Sequence, residues 1–341
     1  MFENIVGHLK VKSILEKSLT EKRIAGAYLF TGNKGVGKFS LALEFAIQIF
    51  GEKYRTYVEE FRHPDLFIIY PFLKKDLASS DSLLKSINES LQEGIKDKRT
   101  KKERTLFLLN FFSYSGNENI PVDLVREMIV ESSTKPYLSD KRIFIVRNIE
   151  MMRKESANTF LKILEEPPKS TMFILTTDNL NGVLPTIVSR CQVLKFGYLS
   201  KDDFKKIYKD LGYDESKIEN YLYLFDGYIS PEIDLEISFD SKKSLEMFLS
   251  GDRENFLKYF STLSKKGSEK YFLKLFLKVL TKYLNQKMVQ EESNENVEKI
   301  SDMFEELMDI EQDIKVNFQT AHIINHIFDL NEGVKENVWK S

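Results

Sequence analysis

The chain opens with apolar positions at three- and four-residue intervals through KVKSILEKSLTE (10 to 21), which predicts a helix. AYLFTG (27 to 32) follows as a short apolar run stopped by glycine, the signature of a buried strand. FSLALEFAIQIFG (39 to 51) returns to the helical period and ends on Gly51, a residue suited to a C-cap. Further strands are expected at LFIIY (66 to 70), RIFIV (142 to 146) and MFILTT (172 to 177), separated by helical patterns at VDLVREMIVESS and SANTFLKILEE. Alternation of strand and helix argues a parallel sheet flanked by helices, an α/β fold. Between Pro71 and Ile120 the pattern loosens, and residues 72–118 read as a partly helical insertion. Beyond residue 198 strand-type runs vanish, and EKYFLKLFLKVLTKYL, VEKISDMFEELMDIEQDI and TAHIINHIFDL are amphipathic helices. The expected organisation is a sheet domain over 1–198, a small helical domain over 199–238 and a larger all-helical one over 239–341, with SPEIDLEISFDS (230 to 241) linking the last two.

Composition narrows the function. The 341 residues are 42% hydrophobic and 30% charged, ordinary for a globular protein, and Lys+Arg (50) nearly balances Asp+Glu (52). A net charge of −2 gives no global attraction to nucleic acid or to an anionic membrane. The one concentrated basic run, KDKRTKKER (96 to 104), carries interspersed acids and reads as solvated surface rather than as a DNA-backbone contact. Cys191 is the single cysteine, so there is no internal disulfide, and no Cys/His cluster has metal-ligand spacing. MFENIVGHLK lacks the apolar core of a signal peptide and no run approaches 18 apolar residues, so a cytoplasmic protein without a membrane span is expected.

The candidate chemistry starts at GNKGVGKFS (32 to 40). Gly32, Gly35 and Gly37 let backbone N–H groups turn toward phosphate oxygens, the next helix aims its positive end at them, and Lys38 adds a point charge. The residue after that lysine should carry a hydroxyl for Mg²⁺, and here it is Phe39. The strand that should end in metal-binding acids, RIFIV, continues instead as Arg147 and Asn148, and Glu150 belongs by spacing to the following turn. Two losses of the same kind predict a nucleotide-hydrolase fold without hydrolysis and without a bound metal. The glycines and Lys38 keep a cradle for ATP or ADP, while Phe39 and Arg147 argue against tight Mg·ATP. His322 and His326, at i and i+4 in HIINH, lack a general-base Glu and read as a packed helix face, not a zinc site. Phe256, Tyr259, Phe260, Tyr271, Phe272 and Phe276 recur at helical spacing and read as core rather than as a base-stacking surface.

ANTFLKILEEPP (157 to 168), TMFILTTD (171 to 178) and VLPTIVSRCQ (183 to 192) closely resemble successive motifs of the clamp-loader branch of AAA+ proteins. IVGHLKVKSILEKSL, RIAGAYLFTGNKGVGK, HPDL (63 to 66) and IPVDLVREM (120 to 128) fit the same pattern in the same order, so the resemblance covers nearly all of 1–198. Within that branch the degenerate loop is similar to the delta-prime class of the bacterial DNA polymerase III clamp loader. The resemblance implies a P-loop AAA+ domain, a helical lid and a C-terminal collar that assembles a five-membered ring with the ATPase subunit gamma/tau and the delta subunit. Through that ring the sliding clamp is loaded on primer-template DNA. It also implies that Ser189, Arg190 and Cys191 form the motif whose arginine acts as a finger on the neighbouring subunit's ATP. The family's second-sensor arginine is missing from DGYISPEI, where Pro231 and Glu232 stand, and the four-cysteine zinc module of many relatives is ruled out by a lone cysteine. Two rivals remain: a working gamma/tau-like ATPase, and a subunit that binds DNA directly through Lys96 to Arg104.

Overall fold

The computed structural model describes residues 1–73, 82–114, 116–263, 268–291, 293–313 and 320–338; parts of the expected insertion (74–81 and 115) and of the C-terminal helices (314–319) lie outside them. The chain divides into two compact units, Met1–Tyr213 with Gly227–Pro231, and Asp214–Asp226 with Glu232–Ser341.

The first unit is built on five parallel strands, β1 (Ala27–Thr31), β2 (Leu66–Ile69), β3 (Arg142–Val146), β4 (Thr171–Thr177) and β5 (Gln192–Lys195), in the order β2-β3-β4-β1-β5. Every residue of β1, β3 and β4 is buried, which is why these strands read as uninterrupted apolar runs. β5 escapes that reading because it is an edge strand with Gln192 and Lys195 exposed; only its pairing with Tyr28 through Thr31 places it. The strands' register aligns Thr31 with Thr177 and Val146 with Leu175, so the segments after β1, β3 and β4 emerge at one carboxyl edge. That edge is where ligands bind in open parallel sheets. The core above and below is aromatic: Phe67, Phe144, Phe173 and Phe160 run in a chain with ring centroids 5.1, 5.4 and 5.4 Å apart.

Helices α1 (Leu9–Thr20), α2 (Lys38–Phe50), α3 (Arg55–Glu59), α4 (Leu83–Ile95), α5 (Lys101–Phe111), α6 (Val122–Ser132), α7 (Lys154–Glu165), α8 (Pro185–Val188) and α9 (Lys201–Asp210) surround the sheet. The insertion is partly helical, as expected, and α4 is integral to the fold. Asn88 accepts from the β2 amide of Ile68 at 2.9 Å, and Glu127 on α6 caps α4 by accepting from Leu83 and Leu84 N–H. The basic run around α5 is largely met within the chain. Lys101 pairs with Asp210 at 3.1 Å, Arg104 lies 3.6 Å from both Glu59 and Glu60, and Lys102 sits 3.8 Å over the ring of Tyr213.

The second unit is all helical, with α10 (Ile218–Leu224), α11 (Ile233–Ser238), α12 (Ser241–Ser250), α13 (Arg253–Leu263), α14 (Glu269–Gln290), α15 (Asn294–Asp313) and α16 (Thr320–Val338). Phe256, Phe260, Phe272 and Phe276 are buried in its core, as their spacing predicted. Two expectations change here. The segment 230–241 is no linker: it contains α11, whose buried Glu236 accepts hydrogen bonds from Tyr221 and Tyr271 hydroxyls at 2.6 Å each. His322 and His326 are exposed rather than packed; Ile324, Ile327 and Phe328 form the buried face of α16, and His326 meets Glu306 at 3.2 Å. The span 199–238 is shared between units, α9 and residues 227–231 belonging to the first and α10 and α11 to the second.

Candidate functional site

The loop between β1 and α2 is gripped by backbone from several directions. Gly37 caps α2 at φ 100°, and Gly35 sits at φ 76°, both left-handed conformations that glycine adopts at little cost. A Cβ on Gly35 would lie 2.2 Å from the Ile229 carbonyl oxygen, and one on Gly32 2.6 Å from that of Phe196. The grip is also hydrogen-bonded: Ile229 N–H donates to Gly35 O at 3.0 Å, and His8 Nε2 lies 2.6 Å from Val36 O. Burial pushes the His8 imidazole toward its neutral form, in which Nε2–H is the donor. His8 and Ile229 were missed in the sequence, because both contacts join residues far apart along the chain.

Lys38 is buried and fully occupied. Its ammonium donates to Gly32 O at 2.6 Å and Asn33 O at 2.7 Å, and pairs with Asp178 Oδ1 at 2.7 Å. Burial lowers its pKa while Asp178 opposes the shift. Asp178, at the end of β4, was read only as part of a sensor strand; here its carboxylate stands against the loop lysine as a phosphate oxygen would. Its other oxygen accepts from Asn148 Nδ2 at 3.0 Å, and Asn148, at φ 48°, donates as well to Glu150 Oε1 at 3.2 Å. Glu150 does belong to the turn after β3, but its carboxylate reaches back and also accepts from Asp178 N–H at 3.0 Å. The result is a closed relay, Lys38 to Asp178 to Asn148 to Glu150.

The two residues that depart from the phosphate-loop pattern are partners. The Arg147 guanidinium lies 4.7 Å from the ring centroid of Phe39 and 3.6 Å from that of Phe112, while Phe39 meets Phe112 edge-on at 5.1 Å. A cation held against two aromatic faces gains cation–π attraction, strongest when desolvated. Burial depresses the arginine's pKa, and it drives the nearby Tyr114 hydroxyl up to about 12. Tyr114 Oη, Arg147 Nε and Glu150 Oε2 are buried side-chain polar atoms without a hydrogen-bond partner.

Ser189, Arg190 and Cys191 follow α8 on a separate, exposed turn. Ser189 Oγ donates to Thr186 O at 3.1 Å; Arg190 Nη1 donates to the same carbonyl at 2.9 Å and Nη2 to Glu165 Oε1 at 2.7 Å. Cys191 faces inward against the core, and burial pushes its thiol up to about 12. At pH 8 its thiolate should therefore be about 10³-fold scarcer than that of an unperturbed thiol. Labelling with a maleimide or disulfide reagent is expected to be slower in the native chain by about that factor than in urea; equal rates would show an accessible thiol.

With this geometry in place, comparison with known proteins identifies the lineage. The family model described as "DNA polymerase III, delta subunit" matches residues 7–200. The chain belongs to this family. Among curated relatives, it is 30% identical over 197 residues to DNA polymerase III subunit delta' of Bacillus subtilis (strain 168), covering 55% of this chain and 46% of that protein. It is 24% identical over 243 residues to DNA polymerase III subunit gamma of Buchnera aphidicola subsp. Acyrthosiphon pisum (strain APS), covering 69% of this chain and 57% of that one. The chain thus spans about half the length of these relatives. A solved gamma subunit-related protein from Thermotoga maritima aligns over 94% of this chain and 99% of its own with a TM-score of 0.46 and 16% identity. The chain is thus similar to relatives of both kinds, delta' and gamma.

Proposed function

We propose that the chain is a delta-prime-type clamp-loader subunit that does not hydrolyse ATP itself and that contributes Arg190 to a neighbour's ATP site. The single observation that carries this reading is the contrast between the two sites. Lys38 is spent on Asp178 and two carbonyls, whereas Arg190 stands on an exposed turn. A magnesium complex of ATP fits the loop poorly. Phe39 has no oxygen for the metal, Arg147 brings a positive charge to the carboxyl edge of β3, and a phosphate would have to displace Asp178 from Lys38. The partners on this reading are gamma/tau and delta in a five-membered ring, and through them the sliding clamp and primer-template DNA, in the cytoplasm. No described helix is long and apolar enough to cross a membrane. The 1–198, 199–238 and 239–341 segments would serve as AAA+ domain, lid and collar. Direct DNA binding through Lys96 to Arg104 is the less favoured reading, since Lys101, Lys102 and Arg104 already have partners in the chain.

The gamma match keeps a working ATPase as the second reading. The purified chain at saturating Mg·ATP decides between them. No turnover above that of a Lys38→Ala variant is expected, and hydrolysis that Lys38→Ala abolishes would overturn the proposal.

A further inference from the structure

We infer that Glu165 is a positioning residue for Arg190, holding the guanidinium in one place before any neighbour is met; this rests on the finger reading given above. Glu165 is the last residue of α7, where a carboxylate meets the negative end of the helix dipole and is disfavoured unless a cation faces it. Arg190 is that cation, at 2.7 Å. The end of α7 is itself fixed. Pro167 packs so closely on Gly26 that a Cβ there would lie 2.8 Å from its ring, and Thr171 N–H donates to Pro168 O at 2.8 Å as β4 begins. The carboxylate therefore projects from a rigid corner of the sheet rather than from a mobile loop.

The geometry divides the guanidinium's donors. Nη1 is anchored to Thr186 O and Nη2 to Glu165, both within the same unit, which leaves Nε and the outward N–H groups to meet an anion. An unanchored arginine loses rotamer freedom when it engages; one already held in place loses less, so part of the ordering cost is removed from the reactive encounter. Because Glu165 is half exposed, the pair is weak enough to be exchanged for phosphate oxygens in the assembled ring.

The test is ATP turnover by the complete reconstituted clamp loader, with Glu165→Ala, Glu165→Gln, Arg190→Ala and the Glu165→Ala/Arg190→Ala double variant. Glu165→Ala should lower kcat about two- to five-fold with KM unchanged, the range expected of an exposed ion pair. Glu165→Gln, which keeps the acceptor, should restore most of it, and the double variant should match Arg190→Ala alone. An unchanged or raised rate in Glu165→Ala beside a slow Arg190→Ala overturns the positioning role and leaves the finger standing. A further drop in the double variant, or no rescue by glutamine, also overturns it. A normal rate in Arg190→Ala overturns both.

Discussion

On the proposed finger reading, Arg190→Ala is expected to slow ATP hydrolysis at the neighbouring subunit's site by about 10³-fold, the lower end of what arginine fingers contribute in other phosphate-loop enzymes. The size follows from where charge accumulates. In phosphoryl transfer the oxygens of the departing γ-phosphoryl group carry the developing charge, and a planar guanidinium can meet two of them at once. Lysine offers only a point charge at a different reach, so Arg190→Lys should recover little. The chain's own stability should barely move, because Arg190 is exposed and its contacts are one ion pair and one carbonyl. That combination separates the finger from a fold defect: full assembly, unchanged melting, and a slow chemical step. The measurement is single-turnover hydrolysis in a complex whose other ATP sites are silenced, so that only the site bordering this subunit reports. A rate within a few-fold of wild type there would remove Arg190 from the chemistry.

What could be read from the linear chain depended on whether a residue's role was local. β1, β3 and β4 are buried on both faces and therefore write themselves as apolar runs, and Gly51 ends α2 where the helical period stops, its N–H donating to Ile47 O. β5 is held by a neighbour and only Leu194 of its four residues is buried, so it carries no such run. The same division holds at the site. Phe39 and Arg147 were each legible as a missing metal ligand; that they face each other, 108 positions apart in sequence numbering (147 minus 39), is a fact of the sheet alone. Asp178 was legible as the end of a strand but not as the counter-ion of Lys38, and Glu150, assigned to its turn, gave no sign that its carboxylate folds back on Asn148. The exposed positions of His322 and His326 were misread because Ala321 and Ile323 flank the first of them, although the buried stripe of α16 runs through Ile324, Ile327 and Phe328.

Asp65→Ala is expected to cost about 3–5 kcal/mol of stability, as removing one partner from a buried ion pair commonly does. HPDL was legible as a motif and had no physical role until its surroundings were known. The Asp65 carboxylate is fully buried and accepts N–H bonds from Tyr137 at 2.5 Å, Leu138 at 2.7 Å and Ser139 at 2.9 Å, with the buried Arg142 guanidinium 3.7 Å away. His63, stacked on Phe50 at 4.0 Å, reaches the same turn through Ser139 Oγ at 3.2 Å. Alanine at 65 would orphan three backbone donors and leave Arg142 to Glu131, Thr134 and Lys135 alone, at the very start of β3. Asparagine should fare only partly better, since its amide presents a donor where donors converge and its oxygen carries no charge for Arg142. Asp140→Asn, one residue beyond the cradled turn and exposed, should stay within about 0.5 kcal/mol of wild type. Hydrogen exchange of the β3 amides under native conditions reads the difference directly, because Ile143 N–H donates to Asp65 O at 2.8 Å and opens with it. Unchanged protection of Ile143 in Asp65→Ala would mean that the turn at 137–139 is held by something other than this carboxylate.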